Sequence, residues 1–70
     1  MEKKTLTVEG MTCNHCKMAV TKALEEIGVD QVEVKLNEGT VHVEYRDASI
    51  TENSLTEAIE EQGYDVKNVQ

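Results

Sequence analysis

The chain has 70 residues, and 14 acidic against 7 basic residues give it a net charge of −7. Nucleic acid and anionic membranes would repel such a surface, so neither is an expected partner. A chain this short builds one small core with little room for an enclosed active site, so we expect a single domain, residues 1–70, with a shallow surface site. It contains no apolar stretch near the roughly 20 residues of a membrane span or the about 7–15 of a signal peptide, which predicts a cytoplasmic protein without membrane insertion.

The first part of the chain predicts a strand, a helix and a hairpin. Polar and apolar residues alternate over Thr5–Glu9, as in a strand buried on one face. Apolar residues then recur at helical spacing, and Gly28 follows where a helix C-terminal glycine belongs. This helix face consists of Cys16, Val20, Ala23, Leu24 and Ile27. Residues 31–36 and 40–45 alternate again, and the short turn between them predicts an antiparallel hairpin.

The last part predicts a second helix and a final strand. Thr51 is a good N-cap, and Ile50 before it can form a hydrophobic staple with Leu55. Gly63 ends the helix, and residues 64–69 form a short strand at a sheet edge. The resulting βαββαβ order predicts an α+β, ferredoxin-like sandwich, with a four-stranded antiparallel sheet and two helices on one face.

Two cysteines, Cys13 and Cys16, lie between the first strand and the first helix. Their spacing at a helix start brings both sulfurs to one side. The N–H groups there carry partial positive charge, which favours the thiolate, the form that binds metals. In a cytoplasmic protein, such a pair indicates metal binding or thiol redox chemistry rather than a structural disulfide.

The number of available ligands narrows the choice of metal. Structural Zn²⁺ sites and most iron–sulfur clusters need four ligands. Besides its two thiolates the chain has two histidines: His15 is expected to project away from the pair, and His42 lies on the polar face of the third strand. Soft thiolates suit Cu(I). The sequence therefore predicts a Cu(I) ion held by Cys13 and Cys16, open to a further sulfur and hence to transfer by ligand exchange.

The segment Gly10–Cys16, read as G-M-T-C-N-H-C, resembles the G-M-T/S-C-x-x-C signature of heavy-metal-associated domains. That family includes copper chaperones and the N-terminal domains of copper-transporting P-type ATPases. The resemblance covers essentially the whole chain, including Gly28-Val29 and the segment from Glu61 to Val66. With a histidine before the second cysteine and the Gly63-Tyr64 pair, the chain resembles the CopZ-type bacterial copper chaperones most closely.

The resemblance implies a carrier rather than an enzyme. It implies that Cys13 and Cys16 bind Cu(I), that Tyr64 lies near them, and that the protein docks on the N-terminal metal-binding domain of a copper-transporting P-type ATPase. A copper-bridged homodimer is also compatible with it. Zinc-handling relatives tend to carry an acidic residue beside the motif, where this chain has Thr12. The initiator Met1 favours a free-standing chaperone over an ATPase domain.

Other chemistries remain as alternatives. Hg(II) is as thiophilic as Cu(I), and a Zn(II) carrier is a further alternative. A small thiol–disulfide oxidoreductase would use the same pair, because thioredoxin-like enzymes share the strand–CxxC–helix layout. Those enzymes usually have a tryptophan before the motif and a cis-proline facing it, and this chain has neither Trp nor Pro.

Four residues are expected to flank the cysteines. Met11 is either a thioether ligand or, as we favour, a core plug that anchors the loop. Thr12 is a candidate helix cap. His15 is either an exposed, solvated side chain or a functional one. In the functional case it tunes the basicity of the sulfurs or supplies a third ligand in a metal-bridged dimer. Tyr64 is expected at the same end of the fold as the cysteine loop.

Overall fold

A computed structural model describes all residues from Met1 to Gln70 and contains the predicted elements in the predicted order. Neither helix has the length and apolar character that spanning a membrane requires. The elements are β1 (Glu2–Glu9), α1 (Asn14–Glu26), β2 (Gln31–Lys35), β3 (Thr40–Tyr45), α2 (Glu52–Glu60) and β4 (Asp65–Val69). The βαββαβ order and the four-stranded antiparallel sheet confirm the predicted ferredoxin-like class.

The sheet has the strand order β2-β3-β1-β4, and every neighbouring pair is antiparallel. The last strand lies at an edge, as predicted. β1 begins at Glu2, three residues before the predicted start at Thr5, because its charged first residues still pair with β3, with Glu2 opposite Tyr45. Lys4 is accommodated on the helix side of the sheet, where its Nζ lies 3.7 Å from the Glu52 carboxylate of α2.

The hydrophobic core lies between the sheet and the two helices. Both helices pack on the sheet and on each other, α1 beside β2 and α2 beside β4. Each fully buried aliphatic side chain contributes roughly 1.5–3 kcal/mol to folding. The core consists of Leu6, Val8, Met11, Val20, Leu24, Val29, Val34, Val41, Val43, Tyr45, Ile50, Leu55, Ala58 and Ile59.

The second helix begins as the sequence predicts. The Thr51 hydroxyl accepts a hydrogen bond from the Ser54 N–H at 3.2 Å, which satisfies one of the free N–H groups of the first turn. Ile50 and Leu55 are both buried, as a hydrophobic staple requires.

Three connections meet at one end of the sandwich. The loop after β1 carries the cysteines, and the β2–β3 turn reaches it, because the Val8 N–H donates to the Gly39 carbonyl at 2.8 Å. The loop after α2 arrives at the same end, where the Tyr64 ring lies beside Gly10. The fold therefore places residues far apart in sequence around the cysteine loop.

Candidate metal centre

The two cysteines form a close thiol pair at the start of α1. Their sulfurs are 3.4 Å apart, well beyond the about 2.0 Å of a disulfide bond, and both are free thiols. Cys13 is the N-cap, with an extended backbone (φ −148°, ψ 171°), and Cys16 lies within the first helical turn. The spacing of three residues thus brings both sulfurs to one side, as the sequence predicts.

The loop that carries the pair is anchored in the hydrophobic core and makes a sharp turn at a glycine. Met11 is only 5% exposed and belongs to the hydrophobic core. Gly10 has a positive φ of 97°, a conformation that side chains disfavour. The Cys16 thiol points back towards the Gly10 carbonyl, with a sulfur–oxygen distance of 4.0 Å. A buried methionine and a left-handed glycine therefore fix the path of the loop.

The site is open to solvent. Cys13 is exposed and Cys16 is half-buried. Neither residue lines any of the four surface depressions of the molecule. Such a site cannot enclose a substrate, but it can present bound metal directly to a docked protein.

The surroundings of Cys16 favour its thiolate. The Tyr64 hydroxyl, as a hydrogen-bond donor, is the largest influence, followed by the Thr12 backbone N–H and the Cys13 thiol; together they lower the pKa of Cys16 from 9.0 to about 7. Hydrogen bonds to a charged form lower the pKa of an acid in this way. At neutral pH a substantial fraction of Cys16 is therefore in the form that binds metal.

Tyr64 is the contribution of the distant loop to the site. Its hydrogen bond to Cys16, partial burial and the negative charge of the nearby thiolates raise the pKa of the phenol above its usual value. The hydroxyl consequently remains protonated and keeps its donor role. The predicted position of Tyr64, at the same end of the fold as the cysteine loop, agrees with the structure.

No further side chain completes a coordination sphere. No group of three or more His, Cys, Asp or Glu side chains in the chain is placed to hold a metal ion. His15 is exposed at the start of α1. His42 lies on the open sheet face, as predicted, and its Nδ1 is 2.9 Å from the Thr5 hydroxyl, with which it forms a hydrogen bond. The pair of sulfurs is a donor set for a soft ion of low coordination number.

The expected cap at Thr12 is wrong. Cys13 occupies the N-cap position and makes no side-chain cap hydrogen bond, because its sulfur faces Cys16 instead. Thr12 is exposed and takes part in the site through its backbone N–H.

The contact between Gly10 and Tyr64 was not predicted from the sequence. The signal available for it was the glycine itself, placed at a turn where a positive φ permits close approach.

Comparison with known proteins places this geometry in a family. The sequence model of the heavy-metal-associated domain family matches residues 5–65 of this chain. A curated copper chaperone, CopZ, from Staphylococcus epidermidis is 53% identical over 68 residues, which are 96% of this chain and all of the relative.

Solved structures of other proteins are also closely similar to this chain. A CopZ metallochaperone superposes with a TM-score of 0.90 at 45% identity, covering 94% of this chain and 100% of the other. The Cu(I)-loaded N-terminal domain of a potential copper-translocating P-type ATPase from Bacillus subtilis gives a TM-score of 0.87 at 35% identity, covering 99% of this chain and 90% of the other. This chain, with its thiol pair at the start of α1, therefore belongs to the heavy-metal-associated domain family.

Proposed function

We propose that this protein is a cytoplasmic copper chaperone that binds Cu(I) through Cys13 and Cys16 and delivers it to the N-terminal metal-binding domain of a copper-transporting P-type ATPase. The observation that carries the proposal is the solvent-open pair of sulfurs 3.4 Å apart, with no third ligand nearby. Two soft ligands suit Cu(I), whereas a closed Zn²⁺ site would need four. The Cu(I)-loaded Bacillus subtilis domain, at 35% identity, supports the choice of ion.

Transfer follows from the open coordination. A thiolate of the partner adds to the bound ion as a third ligand, and one sulfur of this chain then dissociates. A second exchange moves the ion fully to the partner, without a change of oxidation state and without release to water. The exposure of Cys13 and the partial burial of Cys16 suggest that the partner approaches from the Cys13 side.

The composition and the relatives support the choice of partner, the cytoplasmic compartment and the carrier role. The net charge of −7 favours a partner with a basic surface, because opposite charges speed encounter. A reducing cytoplasm keeps both thiols free for metal. A single domain of this kind acts as a carrier rather than an enzyme, and a copper-bridged homodimer would use the same open position on the ion.

A second candidate function is thiol–disulfide exchange. It is favoured by the two free thiols, whose sulfurs are 3.4 Å apart, together with surroundings that lower the pKa of Cys16 to about 7. An attacking thiol with a pKa near ambient pH is well suited to exchange. The same pair would then cycle between the dithiol and the disulfide.

A transfer assay tests copper carriage. The reduced protein, loaded with Cu(I) under anaerobic conditions, is mixed with an isolated N-terminal metal-binding domain of a copper-transporting P-type ATPase, and copper is measured in each protein after separation. We expect copper to redistribute to the ATPase domain faster than a chelator intercepts it. Copper that reaches the partner only through the chelator-accessible pool would contradict direct transfer.

Disulfide reduction is assayed in parallel on a small disulfide substrate. Turnover that is abolished by Cys16→Ser would establish the exchange function. Equal, slow reduction by the wild type and by free thiol would eliminate it.

A further inference from the structure

The Tyr64 ring lies against the bare backbone of Gly10. A Cβ atom built on Gly10 would be 3.3 Å from the Tyr64 Cδ1 atom, closer than the about 3.5–4.0 Å of a favourable carbon–carbon contact. A side chain at position 10 would therefore crowd the ring edge, and the ring would have to shift by a few tenths of an ångström. The absence of a side chain at position 10 thus allows the loop after α2 to approach the cysteine loop closely without crowding.

The same glycine also contacts the thiol pair. The Cys16 thiol points to the Gly10 carbonyl at 4.0 Å, so Gly10 lies between the tyrosine ring and the second cysteine. The Tyr64 hydroxyl is close enough to the Cys16 sulfur to lower the pKa of that thiol. Gly10, Tyr64 and Cys16 thus lie together at the half-buried sulfur of the pair, whereas Cys13 is exposed.

We propose that Gly10 is a positioning residue of the metal site: its missing side chain seats the Tyr64 ring, which holds the hydroxyl beside the Cys16 sulfur and covers that side of the thiol pair. The inference rests on the proposed function, since it describes how this chain retains copper between encounters. A displaced ring would expose Cys16 to small competing ligands. With the ring in place, an incoming thiol approaches from the Cys13 side.

A purely conformational role for Gly10 is the competing explanation, because its φ of 97° is unfavourable for any side chain. Gly28 provides a matched control. It has a similar φ of 104°, but a Cβ there would meet Ile50 Cδ1 at 3.7 Å, an ordinary contact. Gly28 also follows the far end of α1, away from the cysteines. Gly28→Ala therefore carries the backbone cost without a collision at the site.

The first experiment compares Gly10→Ala with Gly28→Ala. Both variants are expected to lower the unfolding temperature. Only Gly10→Ala should speed the loss of Cu(I) to a competing chelator, by roughly threefold to tenfold, the size of one solvent-accessible hydrogen bond. Equal loss rates in Gly10→Ala and the wild type would overturn the inference, as would equal acceleration in both variants.

A double-mutant cycle isolates the contact. In a Tyr64→Ala background, the added Cβ at position 10 has no ring to displace, so Gly10→Ala should no longer change the rate of copper loss. Additive effects of the two substitutions would overturn the inference. A wild type that binds no Cu(I) at all would instead refute the proposed function.

A readout without copper tests the contact directly, and its wild-type arm does not require Gly10→Ala to fold. In the metal-free wild type, nuclear Overhauser contacts are expected between the Gly10 α-protons and the Tyr64 ring protons. They should weaken in a folded Gly10→Ala variant and keep their wild-type intensity in Gly28→Ala. Their absence from the wild type would overturn the inference without reference to any metal.

Discussion

At the scale of single residues, the chemistry of the site is set around the Cys16 sulfur. Cys13 is exposed, and the only hydrogen-bond partner of its sulfur is the Cys16 sulfur. The Tyr64 hydroxyl and backbone N–H groups of the loop lower the pKa of Cys16, so the two cysteines have different surroundings although they belong to one motif. We expect Cys16 to be reactive near neutral pH, because a substantial fraction of it is thiolate.

The pH dependence of thiol reactivity follows from this difference. The pKa of Cys16 is lowered to about 7, so its thiolate forms as the pH rises through 7 and is lost below it. Tyr64→Phe removes the largest cause of the lowering and should move the alkylation profile of Cys16 to higher pH. The rate of iodoacetamide reaction against pH, measured in a Cys13→Ser background so that Cys16 alone reports, checks this. An unshifted profile would mean that the hydroxyl does not act on the sulfur.

The sequence predicts the residues of the site better than their contacts. Cys13 and Cys16 follow from spacing and helix geometry, and Tyr64 from the resemblance and the topology. The role of Gly10 as a seat for the ring depends on a contact between positions 10 and 64, which no local pattern encodes. Thr12 has the right residue type for a cap, but the helix starts one residue later than that prediction requires, so that Cys13 is the N-cap.

At the scale of secondary structure elements, the two helices begin in different ways. α2 has a conventional side-chain cap from Thr51, whereas α1 has none. The free N–H groups at the start of α1 are thus not used by a capping side chain and remain as partial positive charge next to the thiol pair. A helix start without a cap is less stable, which is consistent with a site that gives up local stability for binding.

Thr51→Ala tests the cap of α2. Loss of the bond to the Ser54 N–H should cost about 1 kcal/mol of unfolding free energy. A loss of that size lowers the melting temperature by roughly 4–8 °C in a domain of this length. Thermal unfolding followed by circular dichroism measures it. Thr12→Ala is the matched control, since Thr12 does not cap α1 and should change the stability by less than about 0.5 kcal/mol. A larger loss from Thr12→Ala would reinstate Thr12 as a cap.

Element order and faces were predictable because they depend on local periodicity. Val41, Val43 and Tyr45 alternate in sequence and all three are buried, and the staple residues before and within α2 are buried too. Strand length was less predictable. The first residues of β1 are charged and would not form a strand alone; they do so because β3 supplies partners along their length. Pairing across the sheet overrides local composition there.

At the scale of the whole molecule, the core accounts for folding without metal. Its fourteen buried hydrophobic residues come from every element except β4, whose Val66 and Val69 pack against them. Small zinc-dependent domains, by contrast, fold only when the ion is bound. We therefore expect the metal-free protein to be folded, with the cysteine loop already near its final geometry.

Leu24→Ala tests the dependence on the core. Leu24 is fully buried, and its truncation should cost about 2–5 kcal/mol, a large part of the stability of so small a domain. Urea unfolding of the metal-free protein measures the loss. Met18→Ala on the same helix is the control, because Met18 is 69% exposed and should change the stability by less than about 0.5 kcal/mol. A metal-free wild type without a cooperative unfolding transition would contradict the preformed fold.

Copper selectivity is most directly tested by an anaerobic titration of the reduced protein with Cu(I) in the presence of a competing Cu(I) chelator, repeated with Zn²⁺ and a zinc chelator. We expect one Cu(I) to be retained per cysteine pair while Zn²⁺ is surrendered, because two soft sulfurs suit the former and leave the latter undercoordinated. Cys13→Ser and Cys16→Ser should each abolish retention, and Met18→Ser, which removes an exposed sulfur outside the pair, should leave it intact. Preferential retention of Zn²⁺, or Cu(I) retention that survives loss of either cysteine, would contradict copper carriage by this pair.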